Sequence, residues 1–133
     1  MKAISVFVLA AGLFSAAAQA DVVADRLKEY QSQGGSNFSA DAGKAMWTKK
    51  VVHADSEGKE RACAVCHGED LRKPGKHAKT GKVIDPLAPS ANPERLTEVK
   101  QIEKWFKRNC EWTYGRECTA QEKGDFLSYI AKQ

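Results

Sequence analysis

Cys63-Ala64-Val65-Cys66-His67 constrains this 133-residue chain more than any other stretch. Two thiols three positions apart with an imidazole directly behind them have the spacing by which a polypeptide attaches haem covalently. The thiols reach the two vinyl groups along one porphyrin edge, and the histidine is aimed at the iron. A short chain that must enclose a porphyrin has its core partly chosen in advance. Two rival readings, a thioredoxin-like pair and half of a zinc site, both leave His67 unexplained. No βαβ pattern surrounds the motif, and the remaining cysteines, Cys110 and Cys118, have no neighbouring histidine with which to complete a zinc cage.

Residues 1–20 read as a secretory signal, with Lys2 as the charged start, Ile4 to Ala18 as the apolar run and Ala18-Gln19-Ala20 as a small-residue cleavage site. The run is short for a membrane span of about 20 residues. Cleavage is therefore expected before Asp21, leaving residues 21–133 as a single monohaem domain in the periplasm. A net charge of +4 at pH 7 makes no case for nucleic acid. Lysines are nonetheless frequent around the motif (Lys49, Lys50, Lys59, Lys73, Lys76, Lys79, Lys82). They form either a docking face for an acidic redox partner or an ordinary solvated surface. With Cys63 and Cys66 committed to haem, Cys110 and Cys118 are left in an oxidising compartment and are expected to pair.

Periodicity predicts helices and nothing else. Val23, Leu27 and Tyr30 mark a short amphipathic helix over Val22 to Gln31, stopped by Gly34-Gly35. Ser39 is an N-cap for a second helix running from Ala40 to about Val52. The attachment motif is a helical turn, followed by a loop from Gly68 to Asn92 that is rich in glycine, proline and lysine. Asn92-Pro93 opens a further helix through Leu96, Val99, Ile102, Trp105 and Phe106, ending near Asn109 or Cys110. Thr119-Ala120-Gln121-Glu122 is a capping box for a last helix whose stripe is Phe126, Leu127 and Ile130.

The second axial ligand is not obvious. Downstream of the motif there is no methionine; Met46, beside Trp47, is the one left once Met1 departs with the signal, and it reads as core packing. His53 and His77 lie in polar stretches that read as surface loops. Asn109 follows Ile102 and Trp105 at helical spacing, so its amide either caps the helix or continues a haem-facing stripe.

Glu103-Lys104-Trp105-Phe106-Lys107-Arg108-Asn109-Cys110, Gly115-Arg116-Glu117-Cys118-Thr119, Glu122-Lys123-Gly124-Asp125 and Gly81-Lys82-Val83-Ile84-Asp85-Pro86-Leu87-Ala88-Pro89-Ser90-Ala91, taken with the haem motif, resemble the sphaeroides haem protein family over essentially the whole mature chain. The resemblance implies an all-α, class I cytochrome c-like fold around one covalent haem c, with a disulfide-closed distal loop. It also implies thioethers at Cys63 and Cys66, His67 as proximal ligand, Asn109 as a redox-dependent distal ligand and a Cys110–Cys118 bridge. The function implied is that of a high-spin cytochrome whose reduced form releases the asparagine and takes up O2, NO or CO, with oxygen reduction or NO dioxygenation as possible activities. A dihaem cytochrome c and a membrane cytochrome b are the implied electron donors. The competing reading is a plain low-spin electron carrier with Met46, His53 or His77 as a permanent sixth ligand. Trp112 and Tyr114 are expected near the haem edge, as its cover or as shapers of gas access.

Overall fold

The computed structural model describes residues 13–133. Most of the expected signal thus lies outside the described residues. Helix α1 (Leu13–Ser32) is continuous through the expected cleavage position. It is followed by α2 (Ala40–Thr48), a single 3-10 turn (Ala54–Ser56), α3 (Cys63–His67), strands β1 (Gly75–Lys76) and β2 (Val83–Ile84), α4 (Val99–Tyr114) and α5 (Ala120–Ala131). The fold is the expected all-α one, with one very small hairpin. No described helix is long and apolar enough to cross a membrane.

The frame is the crossing of α2 and α5. Ser39 caps α2 through the Ala42 N–H, and its own N–H donates to the Asp125 carboxylate on α5 at 2.7 Å. Gly43 lets the helices touch: a methyl there would lie 2.2 Å from the Asp125 carbonyl oxygen. Trp47, Phe126 and Tyr129 are buried around this contact, and the Trp47 ring lies 6.3 Å from Phe126 and 5.8 Å from Tyr129. α1 packs on α5 and is tied to α4, where Tyr30 donates to the Glu103 carboxylate. α5 begins with the expected capping box, Thr119 and Glu122 each accepting from the other's backbone N–H.

Several elements differ from the sequence expectation, and α1 begins at Leu13, well before the expected Val22. α2 stops at Thr48, because Val51 leaves the helix to exchange two backbone bonds with Arg61, at 2.9 and 2.8 Å. The loop from Gly68 carries an antiparallel pair, Gly75 opposite Ile84 and Lys76 opposite Val83, too short to leave a period-two pattern. α4 begins at Val99 instead of Pro93. Asn92 does accept from the Glu94 N–H, but Leu96 then takes a left-handed φ of +59°, which ends the turn before a helix can propagate. At its other end α4 runs on to Tyr114 and is closed by Gly115 in the left-handed conformation.

Candidate haem site

Asn109 therefore lies inside α4 and is not a terminal cap. The buried face of α4 carries Ile102, Cys110 and Thr113, with Phe106 half-buried beside them. At about 100° per residue, Asn109 projects about 20° from Ile102 and about 40° from Thr113. It is half-buried, at the edge of this face. Trp105, expected on the same stripe, stands one turn before Asn109 and about 40° from it, on the side away from Thr113. Its ring is 44% exposed, between Lys104 at 5.3 Å and Arg108 at 5.5 Å.

Two covalent or polar ties bring the second half of α4 to the attachment motif. Cys110 and Cys118 form a disulfide, buried in the core beside Trp47, Leu71 and Phe126. Thr113, 1% exposed, lies beside the Cys63 thiol. Thr113 escaped the sequence reading, although it stands one turn from Asn109 on the same buried face. Tyr114 packs against the same core near Cys63, and its hydroxyl is buried with no partner. Burial, followed by the neighbouring Cys63 and Glu122, pushes that phenol well above its ordinary range.

α3 is a single helical turn held from several sides. The Trp47 indole donates to the Gly68 carbonyl at 2.8 Å, and its ring lies 5.6 Å from that of His67. Gly75 presses on the Cys66 carbonyl so closely that a Cβ would come within 2.3 Å of it. The Ala78 N–H points at the Cys66 sulfur, 3.4 Å away. Burial, and then the charge of Arg95, hold the His67 imidazole down to about 4, so it is neutral near pH 7 and has a nitrogen lone pair to give. Burial pushes the Cys63 thiol up to about 11. A reactive dithiol calls for the opposite shift.

The other ligand candidates are engaged elsewhere. His53 sets Nε2 3.0 Å from the Trp112 carbonyl oxygen at the end of α4 and stacks its ring under Gly115. Arg61 donates to the same oxygen at 2.8 Å and lies 5.0 Å over the Trp112 ring. Arg61 thereby satisfies a helix-end carbonyl with a cationic donor, and the His53 ring nitrogen lies beside both groups. His77 turns Nδ1 inward to accept from the Lys79 and Thr80 N–H groups. Met46 packs against the core cluster.

These residues fit a covalent haem c. Two free thiols, Cys63 and Cys66, flank a neutral imidazole on one turn, the other two cysteines are consumed as a disulfide, and a buried phenol hydroxyl lacks a partner beside Cys63. His67 would hold the metal, and the two thiols the porphyrin edge.

Comparison with known proteins agrees. A family model described as a domain of unknown function (DUF1924) matches residues 33–130. The cytochrome c-type protein SHP of Cereibacter sphaeroides is 38% identical over 104 residues, 78% of each chain. Cytochrome c'' of Methylophilus methylotrophus is 38% identical over 88 residues, 66% of this chain and 60% of its own. The structure of oxidised SHP superposes with a TM-score of 0.76 at 37% identity, covering 84% of this chain and 96% of that one. Oxidised cytochrome c'' superposes with a TM-score of 0.74 at 30% identity, over 89% and 96%. Motif, fold and relatives converge: the chain is a member of the DUF1924 family and belongs to the sphaeroides haem protein family of monohaem c-type cytochromes.

Proposed function

We propose that this chain is a periplasmic, high-spin cytochrome c in which His67 holds one face of the haem and Asn109 the other, Asn109 letting go on reduction so that O2, NO or CO takes its place. Haem, when bound, would supply a redox-active iron, held by His67 and, in the oxidised state, by Asn109. The observation carrying the reading is the station of Asn109. It projects from the edge of the buried face of α4, next to the disulfide cysteine and one turn before the residue that touches Cys63.

An amide oxygen is a hard, neutral, weak donor, better matched to ferric than to ferrous iron. A ligand of that kind opens on reduction, whereas a thioether favours the reduced state and keeps the site closed. The rest of α4 is restrained by the disulfide and by the Arg61 and His53 contacts. Asn109 can therefore release by turning its side chain, without the helix moving. The names of the relatives support the same reading: SHP is described as an oxygen-binding cytochrome c, and a solution structure of cytochrome c'' addresses haem-ligand detachment. Electrons would come from a dihaem cytochrome c served by a membrane cytochrome b. Oxygen reduction or NO dioxygenation would follow if bound gas reacted, and a nitrate yield above one per haem under electron supply would establish turnover.

Ferric and ferrous spectra of wild type and Asn109→Ala, with and without CO, test the proposal. The expected result is a ferric spectrum altered by the substitution and a ferrous wild-type spectrum altered by CO. A ferric spectrum indifferent to Asn109→Ala, or a ferrous one indifferent to CO, would leave the low-spin carrier as the better account.

A further inference from the structure

The positive charge of this chain is concentrated in one small element. Residues 71–84 hold Arg72, Lys73, Lys76, Lys79 and Lys82 and not one acidic residue, in a chain whose whole net charge is +4. Arg72 is paired with Asp70 just outside the segment. The four lysines are all exposed, and none forms an ion pair among the described residues.

The hairpin that carries them sits directly on the haem-attachment turn. On its inner side Gly75 packs on the Cys66 carbonyl and the Ala78 N–H reaches the Cys66 sulfur. Its opposite side is formed by the cross-strand pair Lys76 and Val83, whose side chains share a face. Val83 is 65% exposed there, and Val65, between the two attachment cysteines, is 49% exposed. An exposed apolar residue paired across the hairpin with an unpaired lysine, on an element that touches an attachment sulfur, has the composition of a transient docking patch.

We propose that the β1–β2 hairpin is the electron-entry surface, and that its partner is a redox protein presenting carboxylates around an exposed redox centre. The inference rests on the preceding reading in one respect, that this chain accepts electrons at its haem. One electron passes from reduced partner to oxidised protein; the partner is oxidised by one equivalent, and no bond is made or broken. The lysines steer and orient, while Val83 supplies the dry contact at which the electron crosses. Because the attraction is between exposed charges, it acts over about 30 Å at 10 mM ionic strength and about 8 Å at 0.15 M.

The test uses the haem-loaded protein with two charge-swapped variants of equal net charge. Lys76→Glu/Lys79→Glu/Lys82→Glu alters the hairpin, and Lys28→Glu/Lys44→Glu/Lys132→Glu alters α1, α2 and the end of α5. At 10 mM ionic strength the oxidation of reduced protein by ferricyanide, an anion, should slow by about tenfold or more in the hairpin variant and by clearly less in the control. Oxidation by the tris-phenanthroline cobalt(III) cation should accelerate in the hairpin variant. Independently of turnover, titrating polyglutamate into the 15N-labelled protein should shift the amides of residues 73–84 in wild type and the control, and not in the hairpin variant. Equal rate changes in both variants would mean that only net charge matters, and would overturn the proposal. So would binding to phosphatidylglycerol vesicles through these lysines with the amides indifferent to polyglutamate. Failure here leaves the Asn109→Ala spectra untouched, and failure there leaves these rates untouched, so the two proposals fall separately.

Discussion

Gly43→Ala sets two effects of opposite sign against each other. Gly43 is inside α2, where alanine is intrinsically favoured by about 1 kcal/mol, so helix propensity alone predicts a more stable protein. The packing predicts the reverse. The added methyl would stand 2.2 Å from the Asp125 carbonyl oxygen and 2.8 Å from the Tyr129 Cβ, both fixed parts of α5 that cannot swing aside. Restoring ordinary contact requires the helices to part by about 1 Å, and a gap of that size forfeits between a quarter and a half of the dispersion well for atoms across it. Trp47, Phe126 and Tyr129 line the crossing. Each represents about 1.5–3 kcal/mol of burial, so their combined loss exceeds the propensity gain and leaves a net destabilisation of about 1–3 kcal/mol. Urea unfolding of the haem-loaded protein, followed by far-ultraviolet circular dichroism, reads this directly. The haem spectrum should also move, because Trp47 lies against His67 and bonds to Gly68. Gly124→Ala is the comparison: its nearest neighbours would be atoms of the half-buried Phe38 side chain and not the backbone of another helix, so its loss should be smaller. A Gly43→Ala protein as stable as wild type or more so, or one less affected than Gly124→Ala, would refute the packing argument.

Two further outcomes follow from polar contacts at α4. Burial works against the charge of Glu103, but hydrogen bonds from Tyr30 and Lys123 and the charges of Lys123 and Arg26 prevail and hold its carboxyl below the usual range. A carboxylate with a lowered folded pKa contributes stability above its unfolded value of about 4.3, lost as pH falls through the folded one. Glu103→Gln should therefore flatten the fall in urea midpoint below about pH 4.5; an unchanged slope would contradict this. Arg61→Ala removes donors to the Trp112 and Asp55 carbonyls and the cation over the Trp112 ring. It should cost about 1.5–3 kcal/mol at constant m-value, and a loss below about 0.5 kcal/mol would place Arg61 among ordinary surface residues.

Local chemistry was legible in the sequence because its partners are a few residues away. The attachment turn, the Ser39 cap, the Thr119–Glu122 box and the cysteine pairing each needed only neighbours along the chain. The boundaries of α4 were not, since the break at Leu96 is a backbone conformation and proline after asparagine suits a turn as well as a helix start. The two-residue strands were too brief to carry a period.

From its sequence alone, then, this protein read as a small helical domain built on a haem-attachment motif, with His67 directly behind the paired thiols and no methionine downstream of it. Only the tertiary structure decided which residues surround that site. It drew Thr113 and Tyr114 to Cys63, sent His53 and His77 to other duties, and seated a cationic hairpin on Cys66. The reason is physical: a covalent motif carries its chemistry within five residues, while burial and contact between distant segments depend on how α2, α4 and α5 pack.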